Sequence, residues 1–154
     1  MMLSAIRGML NRTGLIAAAI VGLTVSLFGH WTWLTILISF LAVGSLATLW
    51  KYEEKAALRL AEENRGARGW RNVMANGSVA SLVAIVNFLL DQPEWAYLAA
   101  CASISVAASD TLASEIGSLD SRTRNIINLE AVPAGTNGGM SLTGTFAALG
   151  GALL

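Results

Sequence analysis

Blocks of apolar residues separated by short polar segments organise the chain. The blocks cover about 13–29, 31–50, 72–90 and 95–116, and a shorter one covers about 140–154. A block of roughly 18 or more apolar residues with few charges is long enough to cross a bilayer as a helix. The pattern predicts an all-α fold, a polytopic integral membrane helical bundle with about five hydrophobic segments in a single membrane domain.

The two ends of the chain are less regular. Residues 1–12 carry two arginines before an apolar stretch, as a secretory signal does, but a second apolar run follows almost at once, which favours a two-helix hairpin. Within the last block, the apolar stretch 146–154 is too short to cross a bilayer alone. We expect either half a helix completed by the preceding polar residues or a span that is cut short.

Composition supports the membrane interpretation. The chain is 55% hydrophobic and 13% charged, whereas an ordinary soluble domain is about 25% charged. The net charge is zero, so it gives no reason to expect a nucleic-acid partner. A single cysteine, Cys101, rules out a disulfide framework within one chain.

The basic residues are confined to three segments. None of them lies in the turn at His30 or in the turn at 91–94. With four spans, the three segments fall on one side, which the positive-inside rule makes cytoplasmic. We therefore expect the N-terminus, the 51–71 loop and the 109–139 loop to be cytoplasmic, in the plasma membrane if the source is prokaryotic. The ten residues are Arg7, Arg12, Lys51, Lys55, Arg59, Arg65, Arg68, Arg71, Arg122 and Arg124.

The longest charged segment, 51–71, alternates acidic and basic residues. Its Glu–Lys and Glu–Arg pairs at four-residue spacing are typical of a solvated helix, and Gly66 and Gly69 are expected to end it. The sequence predicts a cytoplasmic charged helix or loop here.

A first candidate site is Ser109–Gly117, where two carboxylates end an apolar helix. On a helix, Asp110 shares a face with Ser114, and Thr111 shares one with Glu115. Carboxylates and hydroxyls that face a common space are suitable ligands for Mg²⁺. The alternative is a polar helix end with Asp110 as a cap.

A second candidate site is the Gly-rich segment, residues 132–145. A glycine-rich turn lets backbone N–H groups approach a phosphate, and the N-terminus of a following helix favours anions. The segment lacks the lysine of a P-loop. The alternative is a flexible loop followed by a packing helix of small residues.

A third candidate is residues 68–77, at the mouth of the third span. Arg71 and Asn72 lie at this mouth, where arginine can clamp a phosphate, and Asn76 lies about one turn inside. The alternative is that the arginine extends to the lipid headgroups. His30, on the opposite side, is predicted to be an interfacial residue.

The three blocks, in this order and spacing, resemble the domain-of-unknown-function 92 (DUF92) family, also called transmembrane protein 19-like. The resemblance runs from about residue 12 to the end of the chain, and its last two blocks are specific. The first block is looser, since the family usually has Gln where Asn72 stands. The family includes plant phytyl-phosphate kinase, a chloroplast enzyme that adds a second phosphate to an isoprenyl monophosphate. It resembles, more distantly, the CTP-dependent polyprenol kinases.

This resemblance implies a membrane-embedded kinase of a phytyl or polyprenyl monophosphate. CTP or another nucleoside triphosphate would be the co-substrate, with Mg²⁺. Asp110 and Glu115 would hold the metal, and Arg71 and Asn76 would touch phosphate or line the cavity. The residues implied to bind the nucleotide phosphates are Thr136, Asn137, Gly138, Gly139 and Ser141.

Two other functions remain open at this stage. One is a non-enzymatic membrane protein that binds lipid, isoprenoid or a partner, and the other is a small transporter. The kinase requires Asp110 and Glu115 to converge with the Gly-rich segment on one cavity, whereas a transporter requires a polar path across the bilayer. Family members are usually longer, so a short member is expected to need a second copy to complete its bundle, or to be inactive.

Overall fold

The structure, a computed structural model, describes residues 8–62 and 66–154, and six helices and one two-stranded ribbon have their full bounds within them. The helices are α1 (Arg12–Phe28), α2 (Trp31–Leu49), α3 (Tyr52–Ala57), α4 (Trp70–Leu89), α5 (Trp95–Gly117) and α6 (Leu142–Ala152). The ribbon pairs β1 (Arg124–Asn125) with β2 (Gly139–Met140) in antiparallel orientation.

Five of these helices are strongly apolar. By length and composition α2, α4 and α5 can cross a membrane, and α1 and α6 are shorter apolar helices. Large apolar side chains such as Leu27, Leu98 and Phe146 point outward and are exposed, as expected where the surroundings are hydrocarbon rather than water. The prediction of an all-α membrane bundle with about five hydrophobic segments is confirmed.

Polar caps set the starts of three helices. The Asn11 side chain accepts a hydrogen bond from the Gly14 backbone N–H (2.9 Å), and Ser141 caps α6 in the same way. His30 caps α2. The His30 side chain, which the sequence predicts to be interfacial, therefore also accepts a hydrogen bond from the Thr32 N–H. That N–H has no partner within the helix.

Small residues allow the helices to pack closely. Helix α1 packs against α4, α2 packs against α5, and α4 packs against α5, while α6 packs on α5. The two apolar clusters at the centre consist largely of alanines, including Ala80, Ala84, Ala100 and Ala108, around the larger Trp33, Phe40 and Ile104. Interfaces made of small residues bring helix backbones close together, which is how helices associate in lipid.

The charged segment differs from the solvated helix that the sequence predicted. Its helix ends at Ala57, and Arg59 adopts a left-handed backbone (φ 59°). Lys55 is fully buried. The prediction of a solvated helix was wrong at Lys55, because four-residue charge spacing describes pairs within one helix. It does not reveal that a carboxylate on another helix can bind the lysine.

Candidate functional site

A cavity of about 560 Å³ opens between the C-terminal half of α5, the loop 118–141 and the start of α6. From α5 it is lined by Asp110 and Ser114. The Asp110 side chain is exposed to the cavity, and Ser114 donates a hydrogen bond to the Asp110 backbone carbonyl (2.8 Å). From the Gly-rich segment the lining residues include Thr136, Asn137, Gly138, Gly139 and Ser141.

Two glycines shape the Gly-rich wall of this cavity. The Gly139 N–H donates to the Thr136 carbonyl (2.8 Å), which closes a four-residue turn. Gly138 stands at the third position of the turn with φ 76°, a conformation that favours glycine. Gly135 is also left-handed (φ 79°), and a Cβ there would lie 2.3 Å from the Leu60 side chain. The turn is therefore fixed both by its own backbone and by the charged segment.

Close contact between α5 and α6 places the start of α6 at the cavity. A Cβ on Gly151 would lie 2.7 Å from the backbone of Ala108, and the Cβ of a residue at Gly144 would lie 3.1 Å from the Ala113 carbonyl oxygen. Ser109 donates a hydrogen bond to the Ala148 carbonyl (2.9 Å). With α6 held in this way, its positively polarised N-terminus faces the space that Asp110 also faces.

Asp120 ties the loop to α6. One carboxylate oxygen accepts from the Arg122 N–H (2.8 Å) and the other accepts from the Thr143 hydroxyl (2.8 Å). Both hydrogen bonds lower the pKa of Asp120 below its ordinary value of 3.8, and the bond from the Arg122 N–H has the larger effect. The carboxylate is thus stabilised in its charged form.

The structure brings some of the predicted site residues together and separates others. Asp110 and the Gly-rich residues share the cavity, but Glu115 does not line it. Five positions on a helix amount to about 140° of rotation, so Glu115 faces away from Asp110. Arg71 is exposed and lies over the Trp70 ring, 5.7 Å from its centroid. Asn76 donates to the Asn72 carbonyl and lines a different cavity.

Within residues 8–62 and 66–154, no group of three or more His, Cys, Asp and Glu side chains is placed to hold a metal ion. Asp110 is the one carboxylate among the lining residues of the Gly-rich cavity. Mg²⁺ in phosphate-transfer sites is commonly held by one or two carboxylates, substrate phosphates and water. The donor set therefore fits a cation that arrives with its phosphates, with Asp110 as the protein ligand.

Sequence reasoning missed a buried polar network on the other face of α5. The Glu115 carboxylate accepts from Lys55 Nζ (2.7 Å) with one oxygen and from the Thr48 hydroxyl (2.7 Å) with the other. Lys55 also donates to the backbone carbonyls of Ala47 and Thr48. Arg68 approaches the same hydroxyl with Nη2 at 3.4 Å. This network joins the charged segment to α2 and α5.

Arg68 is the second buried cation of this network, with 6% of its surface exposed. Burial lowers the pKa of its guanidinium, and the negative charges of Glu115 and Glu62 act in the opposite direction. Arg68 belongs to the third candidate block, in which the sequence predicts Arg71 rather than Arg68 as the phosphate clamp.

A second cavity, about 510 Å³, lies between α1, α2 and α4. Its walls are almost wholly apolar, and its polar lining residues are Arg68, Asn72 and Asn76. We call this cavity the apolar groove.

Comparison with known proteins places the chain in a family. The sequence profile described as "Integral membrane protein DUF92" matches residues 1–154. An uncharacterized membrane protein of Methanocaldococcus jannaschii is 34% identical over 146 residues, which are 94% of this chain and 59% of that protein. An uncharacterized membrane protein of Synechocystis is 36% identical over 120 residues, 76% of this chain and 46% of that protein.

A plant relative extends the comparison. The protein named VTE6, chloroplastic, from Arabidopsis thaliana is 31% identical over 146 residues, which are 91% of this chain and 44% of that protein. The chain thus spans about half the length of the curated relatives it matches. No solved structure matches it. Since the family profile covers all 154 residues, the chain belongs to the DUF92 family of integral membrane proteins.

Proposed function

We propose that this chain forms the catalytic part of a membrane-embedded kinase that phosphorylates an isoprenyl monophosphate, such as a phytyl or polyprenyl phosphate. The observation that carries the proposal is the single cavity lined by Asp110 and by the glycine-rich turn Thr136–Gly139. A carboxylate, a glycine turn and a helix N-terminus together form the kind of site that holds a phosphate with its cation.

Each part of the cavity has a role in this proposal. Asp110 holds the cation that accompanies the nucleotide, which is Mg²⁺ by family resemblance. Backbone N–H groups of the turn and of the first residues of α6 orient the phosphates of a nucleoside triphosphate, CTP by family resemblance. Ser141 keeps the start of α6 ordered through its hydrogen bond to the Gly144 N–H (3.1 Å). When bound, Mg²⁺ neutralises charge on the phosphates.

The chemical step is a displacement at phosphorus. An oxygen of the isoprenyl monophosphate forms a bond to the terminal phosphorus of the nucleotide, and the bond from that phosphorus to the nucleoside diphosphate breaks. The products are an isoprenyl diphosphate and a nucleoside diphosphate, so no covalent intermediate on the protein is required. Positioning and charge stabilisation account for most of the catalysis in such transfers.

Family membership supports the proposal from another direction. The family that the three sequence blocks resemble includes a plant phytyl-phosphate kinase. One matched relative is a chloroplast protein. Because the matched residues make up only 44–59% of these relatives, a second copy or a further protein segment is proposed to complete the bundle around the site. The cytoplasmic side is proposed for the cavity, on the basis of the basic residues around it.

The test is transfer of labelled phosphate in detergent. Purified protein would receive geranylgeranyl or phytyl monophosphate, Mg²⁺ and CTP or ATP labelled in the terminal phosphate. We expect labelled isoprenyl diphosphate from the wild type and a loss of at least about 100-fold with Asp110→Asn, as for removal of a strong charge-stabilising group.

The matched control is Asp91→Asn. Asp91 is an exposed carboxylate in the turn between α4 and α5, with φ 53°, a conformation that asparagine also adopts readily. The Asp91→Asn variant should transfer phosphate as fast as the wild type. Folded protein that gives no diphosphate with any of these lipids and nucleotides, or an Asp110→Asn variant as active as the wild type, would refute the proposal.

A further inference from the structure

The apolar groove has the form of a site for an amphiphile. Its volume of about 510 Å³ lies within the roughly 300–1,000 Å³ typical of small-ligand pockets. The long walls come from α1, α2 and α4, with side chains such as Ala18, Leu37 and Val73. Polar lining occurs only where Arg68, Asn72 and Asn76 meet the groove. An occupant would therefore need a long apolar part and one polar group.

Arg68 is buried and has few partners. Its guanidinium carries five N–H donors, yet the one hydrogen bond that the side chain makes within residues 8–62 and 66–154 is the 3.4 Å contact with Thr48. Neither ion pair found in that part of the chain includes Arg68, and its guanidinium lies over the Phe40 ring, 5.7 Å from the centroid. A buried cation with unused donors is costly. An anion in the groove would satisfy it.

The backbone of the chain holds Arg68 at this place. The Arg68 N–H donates to the Met9 carbonyl (3.0 Å), and the Arg68 carbonyl accepts from the Asn11 N–H (3.1 Å). Two glycines leave room for it. A Cβ on Gly14 would lie 2.2 Å from the Arg68 carbonyl oxygen, and one on Gly44 would lie 2.9 Å from both terminal guanidinium nitrogens. The position is thus built for this side chain.

We infer that the apolar groove binds a single-chain lipid phosphate, with its hydrocarbon chain between α1, α2 and α4 and its phosphate on Arg68. Arginine is suited to such a group because its planar fork binds phosphate through two parallel hydrogen bonds. A cavity of about 510 Å³ fits one hydrocarbon chain better than the two chains of a bilayer phospholipid. The groove is separate from the cavity of Asp110, so it is a lipid site additional to the one where phosphate transfer is proposed, and its occupancy does not depend on that transfer.

A binding experiment without nucleotide or Mg²⁺ tests the inference. Purified protein in detergent would be titrated with radiolabelled geranylgeranyl monophosphate. We expect saturable binding that hexadecyl phosphate displaces. Geranylgeraniol, which lacks the phosphate, inorganic phosphate, which lacks the chain, and phosphatidylglycerol, which has two chains, should displace it poorly.

Two variants with matched controls locate the site. Arg68→Gln should weaken binding about 10- to 100-fold through loss of the charge-assisted hydrogen bonds, whereas the exposed Arg12→Gln should change it by less than about threefold. Gly22→Leu places a side chain in the groove, where a Cβ would meet only Leu34 at 3.7 Å, and should block binding. The control is Gly150→Leu, since Gly150 has nothing within 4 Å of its Cβ position.

The outcomes separate the alternatives. If Arg68→Gln fails to fold, Gly22→Leu still decides whether the groove is the site. Wild-type affinity in a folded Arg68→Gln or Gly22→Leu variant would overturn the inference. Equal displacement by phosphatidylglycerol would show that the groove holds ordinary bilayer lipid, which also overturns it. Binding that persists in the Asp110→Asn variant supports the lipid site whether or not the kinase proposal holds.

Discussion

The Thr143 hydroxyl, in the first turn of α6, lies 2.8 Å from a carboxylate oxygen of Asp120 in the preceding loop. Because this contact and the Arg122 N–H lower the pKa of Asp120, the charged carboxylate stabilises the folded loop. The contact thereby links the protonation of one half-buried carboxylate to the order of one wall of the Asp110 cavity.

This link predicts a pH dependence for the loop. For a carboxylate with a lowered folded-state pKa, the stabilisation is present above the ordinary value of 3.8 and is lost as the pH falls through the lower folded value. Asp120→Asn should therefore loosen the loop near neutral pH, so that the amide hydrogens of residues 118–141 exchange faster than in the wild type. This difference in exchange rate should shrink in strong acid. A constant difference across the whole range would contradict the assignment.

The contact between α5 and α6 gives a second prediction. Gly151→Ala would place a methyl group 2.7 Å from the Ala108 backbone and should push the helices apart. We expect a loss of about 1–3 kcal/mol in unfolding free energy, as for overpacking; the proposed kinase function further predicts weaker nucleotide binding at the displaced wall. Unfolding by titration with sodium dodecyl sulfate would measure the former.

The neighbouring glycine supplies the control for that experiment. Gly150→Ala adds a methyl where nothing lies within 4 Å, and alanine favours helix over glycine, so its stability should be unchanged or slightly higher. Equal losses in the two variants would mean that the close approach at Gly151 is not what holds α6.

The buried Lys55–Glu115 pair gives a third prediction. Lys55→Met leaves the Glu115 carboxylate without its cation and should cost about 3–5 kcal/mol, as when one partner of a buried pair is removed. Lys51→Met breaks the exposed pair with Glu54 and should cost about 1 kcal/mol or less. The double variant Lys55→Met/Glu115→Leu should recover part of the loss. Similar losses for Lys51 and Lys55 would refute the buried role.

Sidedness gives a fourth prediction. The Lys55–Glu115 contact (2.7 Å) brings the segment after α2 to the C-terminal end of α5, so both belong to one face of the bilayer. In a Cys101→Ala background, Glu53→Cys and Glu130→Cys should react with an impermeant maleimide from the cytoplasmic side of vesicles. Glu94→Cys should react only from the opposite side. Labelling of Glu53→Cys and Glu130→Cys from different sides would exclude the arrangement.

The sequence predicted the helical fold well because lipid leaves few choices. A backbone that crosses hydrocarbon must satisfy its own hydrogen bonds, so long apolar blocks become helices. The approach of Asp110 to the Gly-rich turn could be anticipated in part, since the turn lies in the connection 118–141 that follows α5 and leads directly into α6. Whether this cavity carries out phosphate transfer stays a prediction.

Contacts between distant parts of the chain could not be predicted in the same way. The family resemblance groups Glu115 with Asp110 as metal ligands, yet their helical positions place them on different faces. Arg68 and Arg71 are three positions apart and equally charged. Arg68 is buried and Arg71 is exposed, because Arg68 lies before the start of α4 and is held by the segment at Met9 and Asn11. Single-sequence patterns do not contain that pairing.

The buried Lys55–Glu115 contact also imposes an order on biosynthesis. The two residues are 60 positions apart, so at the usual synthesis rate of 5–20 residues per second Lys55 emerges about 3–12 s before its partner. During that interval its ammonium group has to remain in water at the membrane surface. The first hairpin can therefore insert early, but the segment after it can dock only when α5 has entered the bilayer. The contact acts as a late step that joins the two halves of the newly made chain.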